Sequence, residues 1–381
     1  MNRERLLAVM LTSLLFVALG GMHLSRWVDW NINILQGISE VIEEKPRYVC
    51  IQAPFTESNL DRVQWFASTC HSRGLRVTWY PDEKALHQED IVSALRSFTT
   101  FGDDIGLSFG QTFFNQMKPS ERLEHTYNYM STFRDTFGYY PYIVQSYYID
   151  AYTLNHISMQ YSAVKAAIAY VNHEVYCDNF KSAGAYYMPY YPSKMNTLVP
   201  SRNEDKIDIV VLPFVHRDPT NCILHQDITY SLNPQDGCKV AENWTNYFAE
   251  LFQVHTEGWD LFGLALYLID LAYPDLPTKA IEQDLSYIQE QVQFKNCPNV
   301  LDSEFVEWFR SRFPQSPSYR WTYQDSIIGF SSSLWYFTPE NRVGYVDGEL
   351  LDSRKYHREY EGCYENAVCP YDNSMPLNEK A

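Results

Sequence analysis

The chain has 381 residues, 45% of them apolar, with 30 Tyr, 21 Phe and 9 Trp, which is enough for one large core or a core plus a small accessory module. Its formal net charge is −17 with a pI near 5.0, a field that repels phosphate backbones and anionic lipid, and no Lys/Arg cluster interrupts it. The composition therefore argues against nucleic acid as a partner, while the aromatic excess suits a carbohydrate ligand and an ordinary core equally.

The N-terminus reads as an address. Asn2-Arg3-Glu4-Arg5 precedes an uncharged run from Leu6 to Leu19, and Ala18-Leu19-Gly20 offers small residues at signal-peptidase spacing. Residues 1–24 are expected to be a signal peptide or, if uncleaved, a membrane anchor, the only membrane contact foreseen. Either places the remainder outside the cytoplasm, secreted or anchored. Eight cysteines suit disulfides in an exported chain, with Cys222–Cys238 and Cys363–Cys369 the pairs nearest in sequence. No C-x-x-C pair is present, which argues against a zinc ribbon, and Asn243-Trp244-Thr245 is a glycosylation sequon.

Residues 27–44 read as a helix or linker ending at Pro46. From there strands and helices alternate. Arg47 to Ala53 reads as a strand stopped by Pro54, and Glu57 to Arg73 as an amphipathic helix closed by Gly74. Leu75 to Tyr80 is a second strand, Asp90 to Phe101 a helix closed by Gly102, and Ile105 to Phe109 a third strand. Pro119 to Phe137 is a long helix ending at Gly138, followed by a strand at Tyr142 to Tyr147 and a helix at Ala151 to Tyr161. Asp103-Asp104 precede their strand and read as capping or solvated groups.

The stretch from Ala163 to Asn196 is the richest in chemistry. Val164 to Val171 is an apolar fifth strand, after which Asn172, His173, Glu174 and Asp178 arrive together. A loop broken by Gly184, Pro189 and Pro192 then carries Tyr186, Tyr187, Tyr190 and Tyr191. Titratable groups at the carboxyl end of a parallel strand mark the active-site face of an α/β barrel, and tyrosines are walls on which sugars stack. The plainer reading is a polar turn beside a tyrosine packing patch. Lys206 to Val215 is a sixth strand, with His216-Arg217-Asp218 at its exit.

Further on, Asn243 to Val254, Lys279 to Gln293 and Ser303 to Phe313 read as helices, and Phe262 to Leu271 as an apolar run of either type. Tyr319 to Tyr356 alternates like strands around an Asp347-Gly348 hairpin turn. The expected division is a barrel domain over 47–316, a small β-module over 317–362 and a tail over 363–381. Repeated β-α units joined by short connections predict a parallel, closed or nearly closed (β/α) barrel. The absence of G-x-G-x-x-G and of a P-loop removes support for dinucleotide and NTPase folds.

The order RYVCIQAPF, LRVTWYP, GDDIGLSFGQTFF, FGYYPYIVQSYYIDAYTL resembles the glycoside hydrolase/polysaccharide deacetylase superfamily over roughly residues 47 to 270. The resemblance implies a distorted (β/α) barrel. It also implies a divalent metal on one aspartate and two histidines, with a second aspartate as base. The sequence departs from that set. Gln52-Ala53-Pro54 stand where the aspartates belong, Ser108 and Thr112 where the histidines belong, and the motif arginine falls near Gln145. No metal ligand and no cofactor are assigned.

Two functional readings follow. In the first, an exported carbohydrate-active protein hydrolyses glycosidic bonds without a metal. Glu174 is then the proton donor, its pKa raised by the aromatic loop, and Asp178 or Asp218 the nucleophile or base. His173, Tyr187, Tyr190, Tyr191, His216 and Gln145 would hold the substrate. In the second, the barrel binds glycan or another protein without catalysis. A third class, a metalloenzyme with ligands relocated to His173, Asp178 and His216, would show metal on elemental analysis.

Overall fold

The computed structural model describes residues 45–110, 117–146, 149–169, 187–202, 204–214, 216–225, 229–329, 331–356 and 378–380. The N-terminal address, residues 27–44 and the Cys363–Cys369 pair lie outside these. Among the described residues no helix is long and apolar enough to cross a membrane.

The body is built from β-α units. Strand β1 (Arg47–Phe55) leads to helix α1 (Leu60–His71), β2 (Thr78–Pro81), the short α2 (Glu83–Leu86) and α3 (Glu89–Thr99). Then come β3 (Asp104–Ile105), β4 (Leu107–Ser108), α4 (Pro119–Phe137), β5 (Ile143–Ser146), α5 (Ala151–Gln160) and β6 (Ala166–Ala169). After β7 (Val210–Pro213) follow α6 (Pro219–His225), α7 (Pro234–Gly237), α8 (Trp244–Glu257) and β8 (Gly263–Leu268). Helices α9 (Thr278–Phe294) and α10 (Asp302–Arg312) complete the body.

The strands form two parallel sheets, β3-β2-β1-β8 and β4-β5-β6-β7. They meet at one residue, Gly106, between β3 and β4, whose N–H donates to the Trp79 carbonyl (2.8 Å). A Cβ there would lie 2.4 Å from the Tyr80 ring and 2.9 Å from the Ile143 carbonyl, so only glycine lets the segment pass from one sheet to the other. Counting β3 and β4 as one segment, the wall has seven strands, the expected distorted (β/α) barrel. At the seam between β7 and β8 a side chain takes the place of a backbone ladder, the Leu266 N–H donating to Nδ1 of His216 (3.2 Å).

The two faces of the wall differ. Trp79 on β2 packs outward against Phe66 of α1 and Phe98 of α3 at ring separations of 6.0 and 5.1 Å. Asp103 is buried on that side, accepting from Trp79 Nε1 (2.7 Å) and the Val77 N–H (3.0 Å) and pairing with His71 (2.8 Å); it is a structural anchor, not a solvated cap.

Helix α10 floors the barrel. Phe305 and Trp308 meet Tyr48 at the start of β1, and Arg310 pairs with Asp208 just before β7 (2.9 Å). At its first residue Asp302 accepts from Gln52 Nε2 (2.9 Å) and Tyr80 OH (2.6 Å), tying the floor to β1 and β2. Burial pushes the Asp302 carboxyl up to about 6, against hydrogen bonds from Tyr80 and Gln52 that pull it down.

The module beyond Pro317 is an antiparallel sheet in the order β13-β12-β11-β10-β9. Its strands are β9 (Tyr319–Gln324), β10 (Ser332–Phe337), β11 (Asn341–Val346), β12 (Glu349–Tyr356) and β13 (Asn378–Lys380). Burial alternates strictly along β9, as the sequence alternation requires of a sheet with one face on a core. Asp347 and Gly348, both with positive φ, make the predicted hairpin turn between β11 and β12.

Candidate functional site at the barrel mouth

At the C-terminal ends of the strands the wall opens into a cavity of about 480 Å³. Its described lining includes Phe55, Asp82, Ser108, Gln145, Asp270 and Tyr273. Two aspartates straddle the end of β1. On one side the Asp82 N–H donates to the Phe55 carbonyl (3.1 Å), and its carboxylate caps α2 by accepting from the Ala85 N–H (2.9 Å). On the other side the pairing of β8 with β1 runs on, Leu271 N–H to Pro54 carbonyl at 2.9 Å, and delivers Asp270.

The Asp270 backbone is clamped from both ends by Gln235, which donates to its carbonyl (2.8 Å) and accepts from its N–H (3.1 Å). Its carboxylate accepts from the Ala272 N–H (2.9 Å). The wall beyond is held by Arg62 of α1, whose guanidinium donates to the carbonyls of Leu271 (3.1 Å), Tyr273 (2.5 Å) and Pro274 (3.0 Å). Thus β1, β2 and β8 supply one half of the mouth, rigidly fixed at its backbone.

The opposite half comes from β4 and β5, where Ser108 and Gln145 are register partners. Ser108 donates to the Gln145 side-chain carbonyl (2.5 Å) and accepts from the N–H of Gly110 (3.1 Å), which turns at φ +78. This is the place at which the superfamily resemblance calls for an imidazole and a guanidinium. A hydroxyl already bonded to an amide offers a divalent ion a poor donor set, and Gln52, held to Asp302 through its Nε2, has only a neutral amide oxygen left where a carboxylate belongs. Among the described residues no three His, Cys, Asp or Glu side chains are placed to hold a metal ion together. The described residues therefore do not fit the deacetylase metal; Thr112 lies outside them.

The residues singled out from sequence divide three ways. Gln145 lines the mouth. His173, Glu174 and Asp178 lie outside the described residues. The remainder are in the core. Asp218 is fully buried and caps α6, accepting from the Asn221 N–H (3.0 Å) and Nδ2 (2.7 Å), with burial raising its carboxyl to about 6.

His216 is fully buried too, stacked on His255 at 4.4 Å, and burial lowers its pKa well below the usual imidazole range. The tyrosines correct the expected sugar-stacking wall. Tyr190 donates to the Thr197 carbonyl (2.7 Å), Tyr191 to that of Phe313 (2.9 Å), and Tyr187 packs on Phe337, all at most 2% exposed.

The predicted Cys222–Cys238 disulfide does not form. Cys222 is buried on α6 with its thiol directed to the Tyr230 carbonyl (3.6 Å), whereas Cys238 is exposed, and the two are not bonded to each other. Among the described residues Cys50, Cys70 and Cys297 are free.

Asp82 and Asp270 are the lining carboxylates that the sequence reading missed among the described residues. Each is an acid one or two residues past the end of a parallel strand, a position that could have drawn attention. Asp82 hides behind the strand-stopping Pro81, and Asp270 closes an apolar run whose period is ambiguous.

Comparison with known proteins follows this geometry. No curated protein matches the sequence. Among solved structures the chain is similar to a candidate glycoside hydrolase/deacetylase from Parabacteroides distasonis. The identity is 14% and the TM-score 0.70, over 86% of this chain and 89% of that one. A family 4 carbohydrate esterase from Streptomyces lividans is similar at 10% identity and a TM-score of 0.38, over 68% of this chain and 95% of that one. The peptidoglycan deacetylase PdaC from Bacillus subtilis is similar at 9% identity and a TM-score of 0.35, over 70% and 94%. The first of these likenesses shows that the two chains share a fold. A family model matches residues 48–257, the barrel from β1 through α8, and by that match the chain belongs to a domain family of unknown function with a solved structure, DUF3863.

Proposed function

We propose that the barrel mouth binds a carbohydrate and that this chain works as a glycan-binding member of a deacetylase-like fold, without the metal step of the deacetylases. The observation that carries the reading is the Ser108–Gln145 hydrogen bond at 2.5 Å, which occupies with neutral amide and hydroxyl groups the place of the metal ligands. Such groups, with Asp82 and Asp270 opposite and Phe55 and Tyr273 as apolar surfaces, are the usual complement for sugar hydroxyls and ring faces. The similarity to a candidate glycoside hydrolase/deacetylase supports a saccharide as the ligand class. Export by the N-terminal hydrophobic run belongs to the same reading, since glycans of this kind lie outside the cell.

The test is a glycan array and titration with the full chain, alongside Gln145→Ala and Glu174→Gln. Binding that falls about tenfold or more in Gln145→Ala and persists in Glu174→Gln is expected, one or two lost hydrogen bonds being worth that much. Turnover of a bound glycan that Glu174→Gln abolishes would replace binding by hydrolysis. No binding to any glycan would overturn both.

A further inference from the structure

The seam between β7 and β8 rests on a titratable group that the proposed function does not use. Leu266 on β8 gives its backbone N–H to Nδ1 of His216, at the exit of β7 (3.2 Å). A ring nitrogen that accepts carries no hydrogen, so His216 is the neutral tautomer with its proton on Nε2. That Nε2 is buried and meets no acceptor. The His216 carbonyl accepts from the Leu232 N–H (2.8 Å), which fixes the backbone under the ring.

His255 of α8 lies over the same ring, with centroids 4.4 Å apart and planes 22° from parallel. It stacks in turn on Trp321 of β9, the first strand of the module, at 6.1 Å and 15°. All three rings are buried, and neither nitrogen of His255 has a hydrogen-bond partner. One column of rings thus joins the barrel seam, helix α8 and the β-module.

The charged side chains on the surrounding elements are engaged elsewhere or exposed. Glu250 of α8 accepts from Tyr323 and Ser326, and Glu257 pairs with Arg47 (2.9 Å). Asp218 is spent on Asn221, and Asp260 accepts from the backbone of Arg320, whose side chain is exposed. Arg217, next to His216, is buried, and β7 and β8 carry no charged residue. Burial pushes both imidazoles down, His255 to about 3; the facing ring lowers His216 further, and the Arg217 backbone offsets part of the fall at His255.

A proton on Nδ1 of His216 turns the acceptor of the seam into a donor that faces the Leu266 N–H. A proton on either ring also sets a buried positive charge against a parallel imidazole. We infer that the His216–His255 pair is an acid-sensitive catch, which holds β8 and the β-module to the barrel while both rings are neutral and lets them part when a ring takes up a proton. Above about pH 6.5, where an exposed imidazole is neutral as well, the catch is whole. Below it the open form binds protons that the closed form refuses, and closure weakens by up to about tenfold per pH unit for each ring.

The experiment is hydrogen–deuterium exchange of the full chain between pH 7.5 and pH 5.0, corrected for the intrinsic pH dependence of exchange, with urea unfolding at the same pH values. His216→Asn puts an amide oxygen where Nδ1 accepts and does not titrate, and His255→Phe keeps a ring between His216 and Trp321. In the wild type, protection of β8 and β9 should fall at least about thirtyfold relative to β2, which is what one imidazole of ordinary value in the open form contributes by pH 5.0. Either variant should reduce that fall, and the double variant should abolish it. The unfolding constants should show the same difference between wild type and variants, in which the buried carboxyls common to all the chains cancel.

If β8 and β9 keep their protection relative to β2 down to pH 5.0, the inference is overturned. Variants whose exchange and unfolding follow pH as the wild type's do would overturn it equally. Should His216→Asn fail to fold, His255→Phe and the wild-type exchange profile decide by the same criteria.

Discussion

Arg62 is the residue whose loss should be felt most directly at the mouth. Its three hydrogen bonds, at 3.1, 2.5 and 3.0 Å, reach the carbonyls of Leu271, Tyr273 and Pro274. Arg62→Met keeps the apolar stem and removes all the donors. A hydrogen bond from a charged donor contributes about 1.5–3 kcal/mol where it is shielded from water. Arg62 is half-buried and part of this wall is exposed, so water will satisfy some of the released carbonyls, and a total loss of about 2 kcal/mol is the working figure. In a domain of this size, with an unfolding entropy of about 2.1 cal/mol/K per residue, that corresponds to a fall in Tm of roughly 3 °C.

Arg62→Lys should recover little, because an ammonium cannot span three carbonyls as a guanidinium does. Urea unfolding and scanning calorimetry of wild type, Arg62→Met and Arg62→Lys give the stability, and titration with the glycan found by array gives the effect on the mouth. If Arg62→Met stays within about 0.5 kcal/mol of wild type, or if lysine fully substitutes, the guanidinium does not hold this wall and the reasoning fails.

Two further predictions concern the barrel frame. The Asp302 carboxyl, raised to about 6 by burial, holds its proton more tightly in the folded chain, so its stabilising effect is complete below about pH 4 and is lost as pH rises through 6. A rise from the ordinary carboxylate value to about 6 corresponds to about 3 kcal/mol. The stability difference between wild type and Asp302→Asn should therefore move by about that amount between pH 4 and pH 7.5, the wild type losing ground; a flat difference in urea unfolding would refute it. Gly106→Ala places a methyl 2.4 Å from the Tyr80 ring and should cost at least about 1–3 kcal/mol, and an alanine variant as stable as wild type would show that the sheets do not cross there.

Much of the frame was legible before any coordinates because it depends on local pattern. Ile91, Val92, Leu95 and Phe98 announce the buried stripe of α3, and the alternation in β9 announces a half-buried sheet, each within a few residues. The candidate site was read less well, because a residue's partner decides its role and the partners are remote. Tyr191 finds its acceptor at Phe313, 122 positions away, and His216 its donor at Leu266, 50 away. A tyrosine in a loop looks the same in sequence whether its hydroxyl meets a sugar or a distant carbonyl. Asp218 reads as a strand-exit acid, yet the Asn221 that absorbs it sits three residues on, in a helix too short to show a period. Gln145 was found because the superfamily motif pointed at it, and Asp82 and Asp270 were missed because the motif did not.

The floor helix has a consequence for biogenesis. Its first residue bonds to Gln52 across 250 positions, so a nascent chain emerging from the ribosome makes its staves long before it has a base to stand them on. Until residue 302 and the turn after it are free of the exit tunnel, Gln52, Thr78 and Tyr80 remain open polar groups in an unsealed vessel. Closure of the barrel thus comes after all of its strands have been made, and truncations inside α10 should yield aggregation rather than a smaller working protein.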